Sequence, residues 1–167
     1  MTEINIMVKR VANPARARLL GTVKNLKKNK AQVGYFREQG LHSSGFTYPA
    51  LMYLHEVIGI STKSGKVYRR AFEMTSMFMR KTLQDNVNKD LTRLFKSGNI
   101  DPTNVLENFA TSLSNGIKST FGNPSILPSN SPFTIKQKGA NTPLVETGEL
   151  RDNLAYKVTT KKGINKT

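Results

Sequence analysis

The sequence predicts an α+β domain, with a small mixed or antiparallel sheet packed against two long helices and several shorter ones. Three observations carry that expectation. Strand-like alternation is confined to a few short stretches spread along the chain. Helical apolar periodicity fills 71–96 and 102–121. The helices are grouped and do not alternate regularly with strands. At 167 residues, one hydrophobic core is expected. The chain therefore reads as a single domain over 1–160, followed by a basic flexible tail at 161–167.

Near the N-terminus, Ile4, Ile6 and Val8 alternate with Glu3, Asn5 and Met7, as in a strand with one apolar face. Asn13-Pro14 then supplies an N-cap and a first-turn proline. The helix it opens runs to about Lys28, with Leu19, Val23 and Leu26 as its inward stripe. The opposite face is basic, and Arg16, Lys24, Lys27 and Lys28 are candidates for contact with an acidic partner. AQVGYF, 31–36, is a second strand.

Residues 37–48 have the composition of a loop. Pro49 opens a short helix whose inward face is Leu51, Leu54 and Ile58 and whose stop is Gly59. ISTKSGK, 60–66, reads as a second flexible polar loop. The longest helix follows over 71–96, its stripe running through Ala71, Met74, Phe78, Val87, Leu91, Leu94 and Phe95. Asp101-Pro102 starts another, with Val105, Leu106, Phe109, Leu113, Ile117 and Phe121 on one face and Gly122 at its end. The proline- and serine-rich 123–132 is a linker. Ser131-Pro132 opens a short helix through Lys138, a further turn spans 147–153, and Leu154 to Thr160 alternates as a final strand. Edges of so small a sheet could be covered by neighbouring subunits.

Composition limits the function. Lysine and arginine outnumber acids 26 to 11, a net charge of +15, against roughly 2–8 for an ordinary soluble domain of this size. Such an excess points to nucleic acid, an acidic protein or an assembly that supplies the opposite sign. There is no cysteine, which excludes disulfides, thiolate catalysis and cysteine-based zinc sites. No leader-like or membrane-length apolar run is present, so a soluble cytoplasmic protein is expected.

Catalytic patterns are weak. His55-Glu56 lacks the second histidine of a metalloprotease helix, since position 59 is glycine. Ser43, Ser44, Ser112 and Ser114 lack a matched base or a nucleophile elbow. The glycines at 34, 40 and 45 form no phosphate-binding loop. Glu146 and Glu149, three apart, read as acids favouring a helix N-terminus. The expectation is a protein that is not an enzyme and has no cofactor or metal.

The most organised stretch is 131–158, SPFTIKQKGANTPLVETGELRDNLAYKV. Ser131, Pro132 and Thr134 begin a helix, and Lys138-Gly139 turns it. Pro143-Leu144 makes an apolar step, and Thr147, Gly148, Leu150, Arg151, Tyr156 and Val158 complete a turn and strand. In order and spacing this resembles the C-terminal signature of the tail-completion, or neck (head–tail joining), proteins of tailed bacteriophages. VGYF and MYLHEVIG upstream are similar to that family's strand and helix. The long helix here is entered through Tyr68-Arg69-Arg70-Ala71-Phe72, without the family's proline, and Val57-Ile58 stand where phenylalanine is usual.

The resemblance implies a structural virion protein of the phage neck, assembled in the host cytoplasm. It would form a homo-oligomeric ring, usually of six subunits, on the head-proximal end of the tail tube. Its partners would be copies of itself, the tail tube protein and the head–tail connector proteins, with possible non-specific contact with channel DNA and none with a membrane. Candidate interface residues lie in the two polar loops: Arg37, Glu38, His42 and Phe46 in one, Lys63 and Lys66 in the other. Within the motif, Thr147 is expected to cap the turn, Leu144 and Leu150 to plug the core, and Arg151 to pair with an acid such as Glu146. Alternative readings are a portal-side connector component and a small basic DNA-binding accessory protein.

Overall fold

The computed structural model describes residues 17, 20–21, 23–24, 27–97, 102–160 and 163–166. The expected strand at 3–9 lies outside them, as do Asn13, Pro14, Arg16, Leu19, Leu26 and Asp101. The architecture is α+β. Strand β1, Lys30–Gly34, is followed by a single 3₁₀ turn, Arg37–Gln39, and by helix α1, Tyr48–Tyr53, which continues as a π-helical turn, Leu54–Ile58. Next come β2, Ile60–Thr62, and β3, Gly65–Val67, and then the long helices α2, Ala71–Ser97, and α3, Pro102–Thr120. Helix α4, Pro132–Lys138, helix α5, Glu149–Asp152, and strands β4, Ala155–Thr160, and β5, Gly163–Lys166, complete the order.

The main sheet is antiparallel in the order β1-β4-β5, with Ala31 opposite Val158 and Thr159 opposite Ile164. Strand β4 is central because the chain returns to its start after both long helices. Period-two alternation puts Leu154 and Val158 in the core, 3% and 1% exposed. Helix α3 covers the sheet, packing on β1 and β4, and α2 packs along α3. The core joins Tyr48, Met52, Ala71, Ile117, Phe121, Leu127, Leu150 and Leu154.

Several expectations are corrected by this packing. The described positions within 17–28 are helical, but Val23 is exposed, as are Leu20, Lys24, Lys27 and Lys28. The apolar cover of the sheet comes from α3, which packs on β1 and β4. In α1 the inward pair is Tyr48 and Met52, whereas Ile58 is exposed. The π turn adds a residue to the repeat and rotates Ile58 outward. Residues 60–66 are not a loop but most of a β-hairpin, pairing Ile60 with Val67 and Thr62 with Gly65. Thr62 Oγ1 donates to Gly65 O at 2.6 Å, closing its turn.

On α2 the inward positions are Ala71, Thr75, Leu83 and Leu94, while Phe78 and Phe95 face solvent. The contact surface on α3 selects this face. Gly116 leaves room for Met79, whose Sδ lies 1.9 Å from where a Cβ would stand. Thr75 and Thr120, both buried, share a 2.7 Å hydrogen bond across the same interface. The tail is corrected as well: 163–166 form the edge strand β5, beside the more apolar β4.

Candidate functional site

The 131–158 stretch forms one wall of the molecule, and each step has a local cause. Ser131 caps α4, its Oγ accepting from Thr134 N at 3.1 Å, and Gly139 ends that helix in the left-handed conformation. Lys138 Nζ donates to Val145 O at 2.9 Å. Pro143 is fully buried, and its carbonyl accepts from Gly122 N at 2.8 Å, tying the step to the end of α3. Leu144 has a φ of 62°, uncommon for a residue with a Cβ. It is held there while packing against the core.

The N-cap of α5 is Gly148, not Thr147. A φ of 87° at that position favours glycine. Thr147 contributes differently, its Oγ1 accepting from Glu149 N at 3.2 Å. Arg151 pairs with neighbouring Asp152 at 2.9 Å and not with Glu146, which precedes the helix and is exposed. Leu150 is buried, and its carbonyl accepts from Tyr35 OH at 2.5 Å. The Tyr35 ring stacks on Tyr48, with centroids 5.9 Å apart, and burial pushes its hydroxyl pKa up.

Glu149 ties this wall to the 41–47 loop. Its carboxylate accepts from Tyr48 OH at 2.7 Å and from Ser43 N at 3.1 Å, and lies 3.7 Å from His42 Nε2. The Ser43 and Tyr48 hydrogen bonds, then the nearby His42 charge, hold its pKa below the usual carboxylate value. His42 Nδ1 faces Ser44 Oγ at 2.9 Å. Ser44, His42 and Glu149 follow the residue order of a hydrolytic relay, but with the two ring nitrogens exchanged and 3.7 Å between His42 Nε2 and the carboxylate; the juxtaposition is invisible in sequence because Glu149 lies so far along the chain. The same Nδ1 lone pair already accepts from Ser44 N at 3.0 Å, which closes a tight local turn and competes with its use as a base. A fluorophosphonate probe is expected to leave Ser44 unlabelled, checked by intact-protein mass spectrometry; stoichiometric labelling lost in Ser44→Ala would make this an acyl-transfer site.

Between this wall and the β2–β3 hairpin runs a groove of about 790 Å³, lined in part by His42, His55, Ile60, Arg69, Asn130 and Leu144. Arg69 is placed by Ala71 and the start of α2, its N–H donating to His55 O at 3.0 Å. Its guanidinium spans to the opposite side, donating to Pro128 O at 3.3 Å and Asn130 Oδ1 at 3.1 Å. His55 and Glu56, adjacent in sequence, diverge. Glu56 accepts from Phe72 N at 2.8 Å at the start of α2, whereas His55 Nδ1 is buried without a partner.

Burial, then the Arg69 charge, lowers the His55 pKa from 6.5 to about 4. The unfolded chain therefore binds the proton first. Stability contributed by neutral His55 is complete above pH 6.5 and is lost as pH falls toward 4. Urea midpoints measured across that window should fall less steeply in His55→Leu than in the native protein; parallel curves would contradict the placement.

The interface candidates separate into two groups. Arg37, Phe46, Lys63 and Lys66 are exposed. His42 is turned onto Glu149, and Glu38 is paired with Lys157, whose ammonium also lies 3.9 Å from the Phe36 ring centroid. Arg69, Asn130 and buried Leu127 were not singled out by sequence. The Arg69-Arg70 pair before α2 is the one available signal. Among the described residues, no helix is long and apolar enough to cross a membrane. No family model, curated protein or solved structure matches the chain.

Proposed function

We propose that this is a structural protein of the neck of a tailed bacteriophage. It caps the head-proximal end of the tail tube as a homo-oligomeric ring of six subunits and joins the tail to the capsid connector. The observation that carries the reading is the 131–158 signature. Its residues are used as scaffold: Ser131 as a cap, Pro143 and Leu150 as buried plugs, Gly148 as a turn, Val158 as the centre of the sheet. A frame of this kind presents surfaces for templated binding, and Arg37, Phe46, Lys63 and Lys66 are exposed on the 37–47 and 60–67 segments of it. The mechanism is association without chemistry.

Electron microscopy of the purified protein mixed with isolated tail tubes tests this directly. Rotationally symmetric density on one tube end is expected. Bare tubes, with protein bound instead to portal complexes, would favour the portal-side connector. The exposed Lys24, Lys27 and Lys28 on one helical segment support a second reading, a basic DNA-binding accessory protein. That reading requires duplex binding in which log K falls by about 0.9 per log unit of salt for each phosphate neutralised. Tube capping that is insensitive to nuclease treatment would overturn it.

A further inference from the structure

Arg69 carries a charge that the fold leaves without a counter-ion. Its guanidinium is half-buried, yet among the described residues no carboxylate forms an ion pair with it. Its acceptors are neutral: the Pro128 and Ser129 carbonyls and Asn130 Oδ1, reached through Nε and Nη2. The Nη1 end of the fork has no acceptor among the described residues. Burial holds the Arg69 pKa below the ordinary arginine value, and no acid opposes that shift. A cation withdrawn from water is ordinarily paired.

The groups beside it are incomplete as well. Asn130 is 8% exposed, and its Nδ2 is buried without a partner while its Oδ1 serves Arg69. His55 Nδ1 is orphaned too, and the His55 carbonyl holds the Arg69 backbone N–H. All three residues line the groove between the β2–β3 hairpin and the 131–158 wall. Buried polar atoms are rarely left unpaired. Two such atoms and an unpaired cation around one groove mark a site whose ligand supplies the missing acceptor.

The other groups in the groove narrow the ligand. Lys138 is engaged by Val145 O, and Glu146 and Glu149 lie along the same groove. A dianion meets repulsion there that a single charge tolerates. The free donors are one end of a planar fork and one amide, which matches the two oxygens of a carboxylate better than the oxygens of a phosphate. Leu51, Ile60, Val67 and Leu144 also line the groove and suit an apolar body behind that carboxylate.

We propose that this groove binds an apolar carboxylate, with Arg69 as counter-ion and the Asn130 amide as second donor, its covered Nδ2 turning toward the ligand. A peptide ending in an apolar residue and a free apolar acid both present this chemistry. The inference does not depend on the neck reading.

The test uses N-acetyl-leucine, with N-acetyl-leucinamide as the matched probe lacking the carboxylate. The chain has two histidines, so the His55 ring signals, assigned with His42→Gln, report on this groove in solution NMR. At constant ionic strength the acid should shift them saturably and the amide should not. Arg69→Gln should weaken binding about 10–100-fold. Because Arg69 also ties down 128–130, Asn130→Asp is the second variant. It keeps an acceptor for Arg69 and places a carboxylate in the groove, so binding should be lost with the thermal midpoint retained. No saturable His55 shift, equal shifts with acid and amide, or native affinity in Asn130→Asp would overturn the proposal. Inorganic phosphate binding more tightly than the acid would overturn the carboxylate assignment. Tighter binding of the tripeptide Ala-Ala-Leu than of N-acetyl-leucine would support the site with a chain terminus as the source, and equal affinity would support it with a free acid.

Discussion

Replacing Leu150 with alanine is expected to cost about 2–5 kcal/mol of folding stability. The side chain is 5% exposed and belongs to the cluster formed by Tyr48, Ile117, Phe121 and Leu154. Three separate parts of the chain close on it, so the walls of the cavity have little freedom to collapse. Its backbone position is fixed independently by the Tyr35 hydroxyl on its carbonyl. For a domain of this size, about 2–4 °C of melting temperature accompanies each kcal/mol. Thermal unfolding of Leu150→Ala should therefore show a drop of roughly 4–20 °C. A shift of under about 1 °C would mean that the 131–158 motif does not seal the core. If the protein caps tail tubes as proposed, tube binding should be lost above the lowered midpoint and kept below it, separating a scaffold role from a contact role.

The second large effect is expected at Gly59. Its φ of 79° and ψ of 150° lie in a region that is essentially glycine-only. A Cβ built there would stand 2.9 Å from the Tyr68 ring. Substitution by valine adds backbone strain of about 1–3 kcal/mol to an overpacking cost of about 1–3 kcal/mol. A shift of Tyr68 would also disturb the Arg70 guanidinium, which lies 5.0 Å over its ring. Chemical denaturation of Gly59→Val should show a midpoint well below that of the native protein. Gly40→Val has a comparable φ of 80° but nothing within 4 Å of the new Cβ. It should lose only the backbone share, so equal losses at the two sites would remove the ring contact from the account.

Much of this was legible from residue patterns. Cap and stop signals located α4 between Ser131 and Gly139, and α3 between Pro102 and Gly122, because these signals act within one helical turn. Alternation located β4 because one face of that strand is buried by α3. The same methods erred where a distant element makes the decision. Phe78 and Ala71 are seven residues apart and share a helical stripe, yet α3 buries Ala71 and leaves Phe78 in water. ISTKSGK looks like a loop because both strands of a small exposed hairpin are polar. Gly163–Lys166 looks like a tail because pairing to β4 is carried by backbone, which composition does not record.

The site divides the same way. Charge, the cysteine-free composition and the 131–158 signature belong to the sequence alone, since each is a property of residue identity or close spacing. They set the expectation of a binding role and the absence of thiol chemistry, while alternation and helical periodicity set the α+β class. The tertiary structure alone decided that Glu149 meets Ser43, Tyr48 and His42, that Arg69 spans to Asn130, and that His55 is left neutral. It also decided which side of α1 is left uncovered. Those outcomes depend on which surfaces the long helices occupy, and a contact across a hundred residues leaves no periodicity in the chain that makes it.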